Sequence, residues 1–467
     1  MPEPIKTHSP LKIGILGGGI TGLTAAFYLS RAGHQVTVLE GRSQVGGLAT
    51  YFDFGPFQWD KFYHCILTSD GPLLQLIEDL GLKAEMRWTE TKVGFYTGKG
   101  FYSMTTTMDF LRFPELSLWE KFRLGLGVLR ASRIKDGKEL EAIPIAEWLV
   151  KIFGRGNYEK MWAPLLKCKL GACREEASAA FIWATIFRLY STREKGASRK
   201  ERMGYVHGGY RVVFGRLIDK IGILGGVIQT DSPVEQVASS HDGTIEVRTP
   251  RGTIRFDRVI ATAPSHIVER IVPALSSDYR RRLREVKYLG MVCVVLVLKR
   301  SLTPYYVTNL TDHEVPFTGV IEMTNLISRE ETAGRHLVYL PKYTAPNDPL
   351  FESPDEEVWG LFQKAFKRMF PDLNEDDIEK RFILRERLVQ PLPVLHYSDR
   401  VPFMRTSVPG LFLANTTQII NSTLNNNEMV KIAREAVEML LSEQGLAATE
   451  SQNPVSREGV SAAVQHP

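Results

Sequence analysis

Three glycines spaced as Gly-x-Gly-x-x-Gly are the residues most suited to chemistry near the start of the chain. Gly17, Gly19 and Gly22 directly follow the apolar run 12–16, and Glu40 ends the next apolar run. The first glycine permits a tight turn, the second lets a pyrophosphate approach the backbone, and the third allows close helix–strand packing. Free N–H groups at a helix N-terminus attract phosphates, and a carboxylate at Glu40 can accept hydrogen bonds from ribose hydroxyls. The pattern predicts a dinucleotide site; the alternative is a glycine-rich structural turn.

A βαβ unit must bring these residues together, and its three elements are visible in the sequence. We predict a buried parallel strand at Lys12–Leu16, a helix at Leu23–Ala32 and a second strand at Gln35–Leu39. A carboxylate at the tip of the second strand would repel a 2′-phosphate. The nucleotide is therefore expected to lack that phosphate.

The segment after the second strand points to a particular class of nucleotide-binding protein. Residues 40–47 read Glu-x-Arg-x-x-x-Gly-Gly, which resembles the signature of the two-dinucleotide-binding-domain flavoproteins. That superfamily includes protoporphyrinogen oxidase, the flavin amine oxidases, the phytoene desaturases and, more distantly, UDP-galactopyranose mutase. The resemblance implies an FAD cofactor, with Arg42 near its phosphates and Gly46 and Gly47 letting the backbone pass close to it. The forked, permanent cation of arginine suits phosphate oxygens.

Later segments resemble the remaining cofactor-binding stretches of the superfamily. Val234 matches a valine that offers its backbone to the adenine, and Thr262 follows a strand that returns to the nucleotide domain. Asn415 and Thr416 stand where most relatives carry Gly-Asp or Gly-Glu, a departure from the pattern. No cysteine follows Cys293, which excludes a cysteinyl flavin at the C-terminal site and predicts non-covalent FAD. The residues predicted to contact the cofactor are Gly17, Gly19, Ile20, Thr21, Gly22, Glu40, Gly41, Arg42, Gly46, Gly47, Leu48, Trp59, Val234, Thr262, Asn415 and Thr416.

Candidate catalytic residues lie in the aromatic segment 51–64, which passes beside the flavin ring in related families. The resemblance makes Trp59, Lys61 and His64 candidates to face the flavin. A cation such as Lys61 would stabilise the reduced, anionic flavin, and His64 could move a proton at neutral pH. The alternative is that Trp59 is a core aromatic and His64 a structural group, so no residue is assigned a certain catalytic role.

The predicted fold class is α/β, with a Rossmann-like FAD-binding domain interleaved with a substrate domain of mixed sheet and helices. The cofactor segments are separated by long inserts, so the domains are discontinuous. Within the first insert, Ser117 and Glu120 form a predicted capping box, followed by apolar residues at helical spacing. The predicted units are FAD-binding parts at 1–68, 203–264 and 403–441, a helical insert at 69–202, a substrate domain at 265–402 and a disordered tail at 442–467.

The predicted activity is that of an FAD-dependent oxidoreductase acting on a small, largely apolar molecule. In flavin amine oxidases, the strand matching Gly290–Leu298 carries a lysine near the flavin, and none occurs here. This departure favours the protoporphyrinogen-oxidase-like and desaturase-like branch, which removes hydride from carbon, with oxygen or a quinone as acceptor. The alternatives are amine oxidation at a C–N bond, a non-redox sugar-nucleotide mutase, and a protein that binds FAD without catalysis.

Composition limits the setting in which this chemistry takes place. The 467 residues are 43% hydrophobic and 24% charged, with a net charge of +5 and four cysteines. These values are typical of a globular protein in a reducing, cytoplasmic compartment and give no indication of nucleic-acid binding. Cys168 and Cys173 are too few for a zinc site. The stretch 181–202, apolar and then basic, is either a peripheral membrane-surface patch or a solvated loop.

Overall fold

The computed structural model describes residues 9–191 and 202–443, and these residues form two large sheets and a helical layer. The strands are β1 Lys12–Leu16, β2 Gln35–Leu39, β3 Tyr51–Asp53, β4 Gln58–Asp60, β5 Ile66–Leu67, β6 Met86–Glu90, β7 Val93–Tyr96, β8 Phe101–Ser103, β9 Arg202–Val206, β10 Val227–Gln229, β11 Gln236–Ser239, β12 Ile245–Thr249, β13 Gly252–Phe256, β14 Arg258–Ala261, β15 Tyr288–Leu298, β16 Val307–Leu310, β17 Gly319–Glu322, β18 His336–Thr344, β19 Ile378–Pro391 and β20 Leu411–Leu413. The helices are α1 Ile20–Arg31, α2 Gly71–Asp79, α3 Thr107–Arg112, α4 Leu118–Ser132, α5 Ile145–Phe153, α6 Arg155–Asn157, α7 Ala163–Leu170, α8 Ala179–Ser191, α9 Tyr210–Ile223, α10 Ser265–Ile271, α11 Ser277–Glu285, α12 Asp355–Met369, α13 Tyr397–Arg400 and α14 Asn426–Ser442.

The first sheet is parallel and has the strand order β10-β2-β1-β14-β20. Its central strand β1 is apolar and buried from Ile13 to Leu16, as expected for a parallel sheet covered on both faces. Helices α1, α9 and α14 bury apolar side chains in the same core cluster as β1 and β2. The sheet therefore draws its strands from three separated stretches of the chain.

The second sheet has the order β19-β15-β18-β17-β16-β7-β8. Strand β15 is buried along all 11 of its residues and pairs antiparallel with both β18 and β19. Its two faces pack into different apolar cores, one shared with Trp59 and the other with α12. Such two-sided burial explains why β15 reads as a continuous apolar run rather than an alternating one.

The helical layer, α3 to α8, surrounds a further apolar core that contains Trp148, Phe153 and Phe181. Helix α4 begins at the predicted capping box, with the Ser117 hydroxyl accepting from the Glu120 N–H at 3.3 Å. The apolar spacing predicted this helix correctly. Its apolar residues Leu118, Phe122 and Leu129 nevertheless point outward, with exposed fractions of 77%, 62% and 44%.

Helix α8 corrects one part of the sequence interpretation. The apolar run Phe181–Leu189 was part of a candidate membrane patch within 181–202, but the side chains from Phe181 to Ile186 are all buried or half-buried in the helical core. They face inward because the helix packs against α4 and α5. Among the described side chains of that stretch, Phe187 is exposed, while residues 192–201 lie outside the described part.

The predicted βαβ elements are confirmed, with a small shift at the start of the helix, which begins at Ile20 rather than Leu23. The last helix begins at Asn426, because the Asn425 side chain caps it by accepting from the Glu428 N–H. The tail predicted at 442–467 falls outside the described residues from 444 onward. Within the described ranges, no helix combines the length and apolar character needed to cross a bilayer.

Candidate functional site

The glycine-rich loop between β1 and α1 has the geometry of a phosphate-binding turn. Gly17 adopts φ +116°, and its N–H donates to the Leu39 carbonyl at 2.8 Å. A Cβ on Gly22 would lie 2.0 Å from the Gly17 carbonyl oxygen, so only glycine allows α1 to start this close to the strand. The Thr262 hydroxyl donates to the Leu16 carbonyl at 3.0 Å and supports the loop from β14. Ile20 and Thr21 are buried in the first turn of α1.

Gly19 differs from the other two glycines because the space beside its Cα is open. A Cβ added there would meet only the Gly47 Cα, at 3.9 Å. Beside the loop, the Glu40 carboxylate accepts from the Gly18 N–H at 2.6 Å and from the Arg42 N–H at 2.8 Å. A dinucleotide-binding site requires two features here. One is an approachable backbone, which Gly19 provides, and the other is an acidic residue, which Glu40 provides beside the loop.

The Gly46-Gly47 turn lies directly against the glycine-rich loop. The Gly46 N–H donates to the Gly18 carbonyl at 2.8 Å, and both glycines of the turn have positive φ, +113° and +57°. A Cβ on Gly46 would lie 2.8 Å from the Thr50 Cα, and one on Gly47 would lie 3.2 Å from the Gly19 Cα. The two glycine segments thus form one cradle of backbone, with Leu48 half-exposed at its edge.

The other predicted cofactor segments reach the same end of the parallel sheet. The Ser232 N–H donates to the Glu40 carbonyl at 2.8 Å, and a Cβ on Gly41 would lie 3.5 Å from the Pro233 Cα, which brings the Val234 segment beside the nucleotide loop. After β20, the Asn415 amide donates to the Ala263 carbonyl at 2.7 Å. Its carboxamide oxygen accepts from Thr417, so the Asn415 side chain is used to hold this loop. Thr416 is half-exposed next to it.

Arg42 and Lys61 share one carboxylate that sequence reasoning missed. Arg42 Nη2 lies 3.1 Å from Glu386 Oε1, and Lys61 Nζ lies 3.7 Å from Glu386 Oε2. Burial lowers the pKa of Lys61, while Glu386 opposes this effect. Glu386 is on β19, 344 residues after Arg42, and no local pattern around it signals this pairing.

Trp59 and His64 are placed in the interior. Trp59 is 1% exposed and its ring packs edge-on against Tyr205, which favours the core alternative. Burial lowers the pKa of His64 to about 4, so its ring is neutral at pH 7 and is a poor proton donor. His64 Nδ1 lies 3.9 Å from Asp60 Oδ2. The His64 and Asp60 side chains line a small cavity with room for about one water molecule.

A rim of partly accessible side chains surrounds the apolar core that contains Trp59. The Tyr63 and Tyr343 hydroxyls lie 3.1 Å apart, and Leu48 and Leu424 pack against the same core. Burial raises the pKa of both tyrosines although their surfaces remain partly accessible. Because Tyr63 and Tyr343 are desolvated and yet partly accessible, we infer that they face an internal cleft rather than bulk solvent. Sequence reasoning missed Tyr343, since 280 residues separate it from its partner.

A polar segment before α14 closes this region. Residues 421–428 are all half-buried. Burial raises the pKa of Tyr210 on α9, and a hydrogen bond from the Asn426 side chain opposes this effect. On the side of the helical layer, Arg188 donates to the Thr423 hydroxyl at 3.1 Å. This segment therefore contacts both α9 and the helical layer.

These features together fit a nucleotide that carries a pyrophosphate. The backbone cradle at Gly19 and Gly47 suits the pyrophosphate, and Glu40 suits a ribose. Within the described residues, no cluster of His, Cys, Asp or Glu suits a metal ion. The arrangement can hold a flavin nucleotide between the two sheets and the helical layer.

Comparison with known proteins identifies the family. The sequence profile of the family described as flavin containing amine oxidoreductase matches residues 20–419. The 15-cis-phytoene desaturase of Arabidopsis thaliana is 24% identical over 88% of this chain and 76% of its own. The crystal structure of an Exiguobacterium sp. 255-15 protein, provisionally assigned as a protoporphyrinogen oxidase, superposes with a TM-score of 0.74 at 20% identity, covering 93% of this chain and all of that one. Reduced UDP-galactopyranose mutase gives a TM-score of 0.72 at 14% identity, covering 94% and 96%. The chain is therefore a flavin-dependent oxidoreductase that belongs to the flavin-containing amine oxidoreductase family.

Proposed function

We propose that the flavin is FAD, held without a covalent bond. The open backbone at Gly19 is the single observation that carries this proposal, because it lies in the glycine-rich loop at the start of α1, where a pyrophosphate can approach the chain. The cradle of Gly19 and Gly47 would contact the pyrophosphate, and Glu40 would accept from the ribose. The four cysteines described, Cys65, Cys168, Cys173 and Cys293, are free thiols, and none follows residue 293.

We propose further that the enzyme removes hydride from a C–H bond of a largely apolar substrate. When bound, FAD supplies a two-electron acceptor, which oxygen or a quinone then reoxidises. The protein's own contribution is a dry cleft, since Tyr63, Tyr343, Leu48 and Leu424 border the apolar core. The likeness to phytoene desaturase supports an apolar substrate.

The alternatives are amine oxidation and a mutase reaction. Strand β15 carries no lysine and is buried throughout, so it offers no cation to the flavin and amine oxidation is less favoured. The fold shared with UDP-galactopyranose mutase keeps the mutase reading as a second candidate. The mutase hypothesis depends on His64 as a group that exchanges protons near neutral pH. Burial of His64 in its neutral form therefore weakens that hypothesis.

Denaturation provides the direct test of the cofactor proposal. We expect the purified full-length protein to be yellow and to release all of its flavin on acid precipitation, because no thiol lies in the C-terminal cofactor segment. Chromatography of the supernatant should identify FAD rather than FMN. Anaerobic bleaching across a panel of polyprenoid, porphyrinogen, amine and nucleotide-sugar compounds then separates the three activities. A colourless protein that cannot take up FAD, or flavin that stays in the pellet, would contradict the proposal.

We also propose that the enzyme contacts a membrane peripherally, through α3 and α4. Six large apolar side chains on these two helices are exposed, and the Trp119 and Phe122 rings stack 5.7 Å apart. We call this set the α3–α4 surface; it consists of Met108, Leu111, Leu118, Trp119, Phe122 and Leu129. The exposed cations Arg112, Arg130 and Arg133 lie on or next to the same helices, while Glu120 is paired with Lys160 at 2.8 Å. A positive, apolar surface of this kind is complementary to anionic lipid.

Vesicle sedimentation tests the α3–α4 surface. The double variant Trp119→Ser and Phe122→Ser should bind vesicles containing phosphatidylglycerol at least about 10-fold more weakly than the original protein, since two aromatic side chains no longer enter the bilayer. Ile223→Ser is the matched control, because Ile223 is 81% exposed on α9, outside this surface. Equal binding of the double variant and the control would refute the assignment.

A further inference from the structure

A lysine ammonium with no counter-ion among the described residues lies on α7, a helix that packs against β18, the strand that carries Tyr343. Lys169 is in the last turn of α7, and its Nζ lies 5.5 Å from the centre of the Phe181 ring on α8. It makes no hydrogen bond or ion pair with any residue within 9–191 or 202–443. The side chain is half-buried, and burial lowers its pKa. A desolvated charge is costly unless it is paired, so this lysine needs an explanation.

A second cation extends the same face of α8 toward the proposed flavin site. Arg188 follows Phe181 by seven residues, which is two helical turns or about 10 Å along the axis. Its positive charge lowers the pKa of Lys169 further. Arg188 itself is anchored, with Nη2 3.2 Å from Asp70 Oδ1 and Nη1 3.1 Å from the Thr423 hydroxyl. Lys169 on α7 and Phe181 and Arg188 on α8 therefore form a continuous surface that reaches the polar segment before α14.

The residues of α8 between Phe181 and Arg188 include no acidic side chain. Ala184 and Thr185 lie on this part of α8, and the Thr185 hydroxyl donates to the Phe181 carbonyl of its own helix at 3.0 Å. Asp70 is already paired with Arg188. If Lys169 only filled space, a methionine of similar length at this position would give a more stable protein. The ring of Phe181 replaces just part of the hydration that the ammonium loses on burial.

We propose that Lys169, supported by Arg188, binds an anionic end group of the substrate. The substrate would then be an amphiphile, with an apolar body against the helical core and a carboxylate or phosphate ester at one end. Both groups are acceptors that form charge-assisted hydrogen bonds with an ammonium. This inference rests on the proposed function, since it places the substrate of that reaction in the cleft.

Isothermal titration of the flavin-loaded, full-length protein with three ten-carbon probes tests the proposal. Decanoate or decyl phosphate should bind at least about 10-fold more tightly than 1-decanol, because a hydrogen bond to a charged group in a dry site is lost in the alcohol. Lys169→Met should remove this preference, and Lys169→Arg should retain it. The acid that binds more tightly identifies the head group.

Stability and flavin content provide the controls. Lys169→Met should melt at or above the temperature of the original protein, because an unpaired buried charge is removed; if it fails to fold, Lys169→Gln replaces it. Equal affinity for all three probes, or a preference that survives in Lys169→Met, overturns the proposal. Flavin content is read separately from visible absorbance. A protein without flavin contradicts the proposed function, whereas the preference for acids, measured as heat, requires no flavin.

Discussion

Replacing Gly19 by alanine should leave the fold intact and weaken FAD binding by about 100-fold or more. Gly19 has φ −72° and ψ 178°, a conformation open to any residue, and an added Cβ would meet only the Gly47 Cα, at 3.9 Å. The methyl group is therefore compatible with the protein but occupies the space over the loop that a pyrophosphate needs. Losing two N–H bonds to charged phosphate oxygens, at about 1.5–3 kcal/mol each, accounts for the factor.

Fluorescence titration of the flavin-free protein with FAD measures this loss, and two other glycines serve as controls. Gly22→Ala should fail to fold properly, because its Cβ would lie 2.0 Å from the Gly17 carbonyl oxygen. Gly215→Ala on α9 meets nothing within 4 Å, so it should bind FAD normally and gain roughly 0.5–1 kcal/mol of stability. If Gly19→Ala and Gly215→Ala bind FAD equally well, the nucleotide is bound elsewhere.

Single substitutions at Asp60 and His64 should give opposite dependences of stability on pH. Burial raises the pKa of Asp60 to about 7, with repulsion from Glu331 adding to it and the Tyr210 N–H opposing it. Burial lowers the pKa of His64 to about 4. The two groups form one buried site, 3.9 Å apart, yet each responds to protons in the opposite sense.

The sign follows from which state binds more protons. Between about pH 4 and 7, the unfolded chain has ionised Asp60 while the folded protein keeps it protonated, so the contribution of Asp60 to stability is lost as pH rises. Between about pH 4 and 6.5, the unfolded chain has protonated His64 while the folded protein keeps it neutral, so that contribution is lost as pH falls. The two slopes largely cancel in the original protein.

Each substitution removes one of the two pH dependences of the free energy of unfolding, so that the other can be measured. In Asp60→Asn the free energy of unfolding should rise by about 2–4 kcal/mol from pH 4 to 6.5, and in His64→Gln it should fall by about 2–4 kcal/mol from pH 4 to 7. In the original protein, the Tyr210 N–H donates to Asp60 Oδ1 at 2.9 Å. The side-chain oxygen of asparagine can accept the same hydrogen bond. Urea unfolding at several pH values measures the slopes. Parallel profiles for the two variants would show that neither group is desolvated.

The local pattern of the sequence was sufficient for the nucleotide-binding half of the fold. Strands β1 and β2 match their predicted bounds because each carries apolar residues at its buried positions, from Ile13 to Leu16 and at Val36, Val38 and Leu39. The helix between them starts three residues early because Gly22, the third glycine of the motif, already lies in its first turn. The glycines of the motif also shape the turn between β1 and α1, so the same sequence pattern identifies both the nucleotide site and this part of the fold.

The cleft was beyond the reach of local pattern. Glu386 pairs with Arg42, and Tyr343 with Tyr63, across 344 and 280 residues. Neither partner belongs to a motif, and their meeting depends on how β18 and β19 pack against the nucleotide-binding loops. Likewise, the spacing of Leu118 and Phe122 predicted a helix, but a period of 3.6 residues cannot say whether the apolar face meets protein or its surroundings.

The pairing of β1 with β14 and of β14 with β20 has a consequence for biosynthesis. Ile13 is in register with Arg258, and Val259 with Leu411. The nucleotide-binding sheet therefore cannot be completed until the ribosome has released nearly the whole chain. Contacts this distant in sequence form slowly, and until they form the β14 edge is open to pairing with other chains. We therefore expect FAD to bind only after residues 411–413 have been synthesised, and we expect a larger supply of flavin to increase the yield of native protein, because ligand binding stabilises the folded state.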